Sequence, residues 1–298
     1  MIRLKKSIPV ANGLGECILW DTEKQLVRWT DMPGRKLYTH DPSKDRTWSL
    51  ELDEDLCSFA LVKNSDELLC AFQSGLALMH PESGQRQWLH RIDNPELIRL
   101  NDGRVDRQGR FWVGSLIDNE GNVPDNGIAG ELLRIDADGT ISKHLGGIGI
   151  SNSICWSPDG RILYFADTPR KEIWRFDFDP DAGTISNQRV FAKTPQEAGP
   201  DGSVVDADGG LWNAEWGLGR VVRYAPDGRI NCTIQLPVSH ITCLAFAGPA
   251  LSDLYVTTAT YGLEEYEDGA GDVFVFETSF RGLKEHRFVS RLGTSPAG

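Results

Sequence analysis

The chain has 298 residues, with 31 Lys and Arg against 43 Asp and Glu and a formal net charge of −12 at pH 7. That balance argues against a nucleic-acid or anionic-membrane surface, because phosphate binding needs a basic face, and leaves a cation or a small neutral molecule as the partner. A composition of 40% hydrophobic residues, with nine Trp and 31 Gly, suits many short strands joined by glycine turns around an ample apolar core.

From the N-terminus, Ile2 to Ile8 reads as a strand, with no continuous apolar h-region and no cleavage-site pattern. No apolar run anywhere approaches the ~20 residues of a membrane helix, so the expected location is cytoplasmic, with no membrane partner. After it a pattern recurs: an acid or amide opens a short apolar run, a polar turn follows, and a second run starts on a large apolar residue about ten positions on. The second runs begin at Leu26, Leu68, Phe111, Leu163, Leu211 and Leu254, which lie 42, 43, 52, 48 and 43 positions apart. A period in the forties built from short strands and tight turns predicts an all-β fold, a six-bladed β-propeller with four-stranded blades around a central channel. The strand at Ile2 to Ile8 then closes the last blade as its outer strand.

In chain order, blade one runs from Glu16 through Leu26-Val27-Arg28-Trp29 to Thr47–Leu50, and blade two starts near Cys57-Ser58. Blade three opens at Arg99-Leu100-Asn101-Asp102-Gly103 and carries a polar, glycine-rich insertion, 117–130, that reads either as a lid or as an ordinary surface excursion. Blade four opens at Ile150-Ser151-Asn152, blade five at Pro200-Asp201-Gly202 and blade six at Thr242-Cys243, with an acidic loop over 262–271. Residues 290–298 read as a frayed tail of what is otherwise one domain, 1–298. The six cysteines form no C-x-x-C pair and are expected as buried free thiols, since a chain this large needs no staples. The oligomeric state is left open.

Counting back ten or eleven positions from each second run reaches Glu16, Cys57, Asn101, Asn152, Asp201 and Cys243, the starts of six innermost strands around one axis. Each of the polar ones has an ordinary reading taken alone, as turn or strand-end chemistry. Their shared register points instead to two carboxylates and two amides in one cavity, which implies a divalent cation, because buried carboxylates need a partner. All-oxygen ligands suit Ca²⁺, Mg²⁺ or Mn²⁺, and carboxylates also take Zn²⁺ or Fe²⁺.

Leu14-Gly15-Glu16, Arg99-Leu100-Asn101-Asp102-Gly103, Ile150-Ser151-Asn152, Pro200-Asp201-Gly202 and Gly219-Arg220-Val221 together resemble the motifs of the regucalcin (senescence marker protein) and gluconolactonase family of six-bladed propellers. The resemblance runs in order over residues 8–289. It implies metal-dependent hydrolysis of sugar lactones to aldonic acids, with Glu16, Asn152 and Asp201 as metal ligands, Asn101 beside the metal, and Arg99 hydrogen-bonding substrate oxygens. Ungapped counting from Asn101 places Asn119, with Glu120 adjacent, where some members carry an acid that contacts sugar hydroxyls. The family's Gly-Glu-Gly is altered here, with Cys17 in the last place, a change expected to affect packing alone.

Asp201 is the candidate general base, able to hold the metal with one oxygen and a water with the other; the alternative is water acidified by the ion alone. No histidine is required, and the absence of a Gly-x-Ser-x-Gly elbow argues against a serine triad. Two other readings share the frame: a non-catalytic calcium-binding scaffold, and a phosphotriester or aryl-ester hydrolase.

Overall fold

The computed structural model describes residues 2–92, 98–117 and 130–291. It contains six antiparallel sheets of four strands. The innermost strands are Gly15–Asp21, Leu56–Leu61, Ile98–Val105, Ser151–Trp156, Gly199–Val205 and Ile241–Ala247. Each touches the next, and the sixth touches the first, so the sheets close into a ring as blades of a six-bladed propeller. Closure is made as expected: Ile2–Ile8 pairs antiparallel with Val273–Thr278 and becomes the outermost strand of the sixth blade.

Sequence period explains the layering within each blade. The second strand of blade two, Leu68–Phe72, is buried at every residue because blades pack on both of its faces. A continuous apolar run is the pattern such a strand needs. The outermost strand of blade one, Arg46–Glu51, reaches solvent and mixes exposed with half-buried residues. The core lies between blades; one such cluster joins Trp112 and Leu132 of blade three to Ile154, Leu163 and Phe176 of blade four. Each fully buried Leu or Phe there contributes roughly 1.5–3 kcal/mol.

The ends of the inner strands are tied by buried aspartates. Asp106 accepts hydrogen bonds from the indole of Trp112 at 2.9 Å and from Arg110 Nε at 2.6 Å. Asp206 repeats the arrangement one third of the way round, with Trp212 Nε1 at 2.8 Å and Arg223 Nε at 2.7 Å.

The segment after the last strand was not anticipated from the sequence. Residues 280–291 cross the end of the channel where the inner strands finish, bonding backbone to backbone with several blades in turn. Gly282 N donates to Leu251 O, Ala207 N to Arg281 O, Phe288 N to Leu61 O and Val289 N to Gly109 O, all at 2.8–2.9 Å. Phe288 is fully buried, and Arg287 Nη2 reaches Asp21 of blade one at 2.5 Å. Arg291 N still donates to Ala137 O at 2.7 Å, so the part of the expected tail that is described is held in place; the rest of it lies outside the described residues. All six cysteines are free, as expected, but Cys232 is half-buried rather than buried because it lies on an outermost strand, and among the described residues no helix is long and apolar enough to cross a membrane.

Candidate active site

Every inner strand slips register near its start. The slip falls between Glu16 and Leu19, Leu56 and Ser58, Leu100 and Gly103, Asn152 and Cys155, Pro200 and Ser203, and Ile241 and Leu244. Such bulges bend a strand and re-aim a side chain. Here they act at the residues that sequence register brought to the axis. Two of them require left-handed backbone directly after a candidate ligand, at Cys17 (φ 48) and Ser153 (φ 62), a conformation that costs a side-chain-bearing residue roughly 1–2 kcal/mol. That geometry gives a physical reason for glycine after the glutamate. Cys17 offsets the cost with its thiol, which accepts from Phe59 N at 3.1 Å and donates to Phe59 O at 3.4 Å. The substitution therefore ties blade one to blade two.

A chain of amides and hydroxyls runs round the mouth. Arg99 Nη1 donates to Asn101 Oδ1 at 3.0 Å, and Asn101 Nδ2 donates to Ser151 O at 2.9 Å and to Asn152 Oδ1 at 3.3 Å. Asn152 Nδ2 donates to Thr168 Oγ1 at 2.9 Å, and that hydroxyl donates to Pro200 O at 2.8 Å, beside Asp201. Holding the Asn152 amino group on Thr168 fixes the amide so that its oxygen turns to Asn101. Asp201 is braced from behind: its carbonyl accepts from Ser153 Oγ at 2.5 Å and from Asn213 Nδ2 at 3.0 Å.

Three carboxyls along the channel, Glu16, Asp102 and Asp201, are raised by burial. Burial, and then the nearby Asp102 charge, pushes Glu16 up to about 8, against the opposing Cys17 N–H and Arg99. Asp201 is pushed well above the usual carboxylate range by burial, then by Glu16 and Asp102. Asp102 is itself raised by burial, although Ile154 N donates to it at 2.9 Å and Arg104 opposes the shift. Glu16 is half-buried, reachable from the mouth, whereas Asp201 is buried. A pair of carboxylates held together in this way is costly unless a cation or protons sit between them.

The structure thus brings Glu16, Arg99, Asn101, Asn152 and Asp201 to one end of the channel, while Asn119 and Glu120 lie outside the described residues. Among the described residues, no three His, Cys, Asp or Glu side chains converge as a ligand set. The donors at the mouth are instead two carboxylates and an amide oxygen, a set that fits a hard divalent cation.

Sequence reasoning missed Asp102, Thr168 and Asn213. Asp102 sits in an ordinary turn sequence, Asn-Asp-Gly, and Thr168 precedes a proline outside the repeat. Asn213 did carry a signal, being a polar residue inside the apolar run Leu211-Trp212-Asn213-Ala214 and fully buried.

The chain is similar to known proteins along nearly its whole length. The chain is 38% identical to an L-arabinolactonase of Azospirillum brasilense, over 93% of each chain. It is 35% identical to a 6-deoxy-6-sulfogluconolactonase of Pseudomonas putida, over 96% of this chain and 98% of that one. Its fold matches the crystal structure of a calcium-binding protein, regucalcin, of Agrobacterium tumefaciens, with a TM-score of 0.88 and 29% identity, covering 96% of this chain and 97% of the other. The model of the SMP-30/Gluconolactonase/LRE-like region matches residues 14–260, most of the propeller and all of the described mouth, and the chain belongs to that family.

Proposed function

We propose that this protein is a sugar lactonase that hydrolyses a gluconolactone-, galactonolactone- or arabinonolactone-like aldonolactone to its aldonic acid, using one divalent cation held by Glu16, Asn152 and Asp201. The observation that carries the reading is the pair of carboxyls raised by desolvation, half-buried Glu16 and buried Asp201, beside an amide wall of Asn101 and Asn152. The relatives named as lactonases supply the reaction class. The regucalcin neighbour, described as calcium-binding, supports a bound divalent cation.

A cation bound there supplies Lewis acidity toward a lactone carbonyl. Asp201 takes a proton from the attacking water, whose oxygen forms the new bond to the acyl carbon as the ring carbon–oxygen bond breaks. The released ring oxygen leaves as a hydroxyl, and the proton returns to it. A base so buried is stronger than an ordinary carboxylate, and general-base catalysis of this kind contributes typically ~10²–10⁴-fold. The Ser153 and Asn213 bonds to the Asp201 carbonyl keep the base in register. Arg99 directs its guanidinium along the same wall and donates to substrate oxygens. Asn119 and Glu120 are assigned to the sugar hydroxyls on the family resemblance alone.

A pH-stat screen of aldonolactones with and without chelator tests the reading. It predicts acid release from at least one lactone, lost with chelator and restored by a divalent salt. Metal binding without turnover of any lactone would replace it with the scaffold reading.

A further inference from the structure

Below the mouth, the channel is not filled by apolar side chains alone. Arg104 lies on the same inner strand as Asn101, three residues on across the bulge, which advances the ladder by two residues, or roughly 7 Å farther down the axis at ~3.3 Å per residue. Its guanidinium donates from Nη1 to Ser203 O at 2.6 Å, and from Nη2 and Nε to the two carboxylate oxygens of Glu285 at 2.7 and 3.2 Å. Both side chains of this bidentate pair are largely buried, at 13% and 15% exposure. Glu285 belongs to no blade; it is carried here by the segment that crosses the base.

Charge along the axis makes the pairing consequential. Glu16, Asp201, Asp102 and Glu285 are four carboxyls, and Arg99 and Arg104 are two guanidiniums, so with every carboxyl ionised, as a bound cation requires of its ligands, these groups carry an excess of two negative charges, the charge of one divalent ion. Remove Glu285, and Arg104 presents an unbalanced positive charge beneath the two carboxylates. At an effective dielectric of about 20, a unit charge roughly 7 Å from a divalent ion changes its binding by tenfold or more, and burial limits screening by salt.

We propose that Glu285 is a positioning residue for the cation site, acting through Arg104: by neutralising that guanidinium from the base of the channel, it keeps the axis anionic enough to hold a divalent ion at Glu16, Asn152 and Asp201. The proposal rests on the cation reading given above. It makes the C-terminal segment part of the functional unit, although it touches neither ion nor substrate.

Calorimetric titration of the full-length, chelator-treated protein with Mn²⁺ or Ca²⁺ tests it, comparing wild type, Glu285→Gln and the double variant Arg104→Met/Glu285→Gln, with thermal unfolding run alongside. Glu285→Gln should raise the Kd about tenfold, with KM for a neutral lactone unchanged at saturating metal. The double variant, in which both charges are gone, should return to within about threefold of wild type. A Glu285→Gln protein that binds as tightly as wild type overturns the proposal, as does a double variant that stays as weak as the single one, since loosening of the crossing segment alone would then account for both. Should Glu285→Gln fail to fold, the double variant decides, and weak binding there overturns it. Wild type that binds no ion removes the cation reading itself, and this proposal with it.

Discussion

Both ends of the channel bury aspartates, and their oxygens are used in opposite ways. At the base, Asp106 accepts from Gln108 N, Arg110 N, Arg110 Nε and Trp112 Nε1, so both oxygens are filled by donors. Asp206 is filled in the same way by Asp208 N, Gly210 N, Trp212 Nε1 and Arg223. At the mouth, Glu16 and Asp201 are each helped by the N–H of the next residue, and Glu16 also by the Arg99 charge. A buried carboxylate with every lone pair answered holds a fold together. One whose charge is left uncompensated raises the free energy of the empty protein and is kept for what it binds.

The largest expected effect comes from breaking the base. Asp206→Ala would leave Arg223 buried without its carboxylate and the Trp212 indole N–H without an acceptor, a loss of about 3–5 kcal/mol. Thermal or denaturant unfolding in chelator should show it, and an unfolding midpoint like that of wild type would remove the distinction between the two ends. Asp201→Asn sharpens the same comparison from the other side. It takes away a buried ionisable group that destabilises the empty protein, so the chelated variant should unfold no earlier than wild type, yet kcat should fall ~10²-fold or more with metal still bound. A metal-loaded variant within a few-fold of wild type would take the base role from Asp201. A smaller, selective effect is expected at Asn119: Asn119→Ala should change the ranking of sugar lactones a few-fold and leave metal affinity alone, and an unchanged ranking would dissociate that residue from the sugar.

The difference between the two ends also governs what could be read from the sequence. The second runs, such as Leu68-Leu69-Cys70-Ala71, are mostly apolar because blades cover both faces, so their spacing yields six blades and the closing role of Ile2–Ile8. Counting back from them finds Glu16, Asn101, Asn152 and Asp201 because each inner strand carries its bulge at the same register. Asp102 escaped because its turn sequence hides a side chain that only the bulge brings to the axis. The crossing segment escaped for another reason. Phe280, Leu283 and Phe288 follow no strand period and have no counterpart in the other repeats, since a strap that passes over the blades is fixed by where each blade ends. Glu285 could be recognised only once Arg104 was seen beneath the mouth.

The most direct test of the central claim is metal titration of the chelated protein by calorimetry in buffers of different ionisation enthalpy. Burial, then the Asp102 charge, raises Glu16 to about 8, and burial, then Glu16 and Asp102, raises Asp201 above its usual range, so near neutral pH the empty native state holds protons that the unfolded chain has lost. Its stability should therefore fall as pH rises from the ordinary carboxylate range through about 8, and a cation entering the site must displace those protons. The account predicts one divalent ion per chain, release of about one proton or more at neutral pH that shrinks as pH passes 8, and weakened binding in Glu16→Gln and Asn152→Ala. An ion that binds with no proton release and equally well in those two variants, or no bound ion at all, would contradict it.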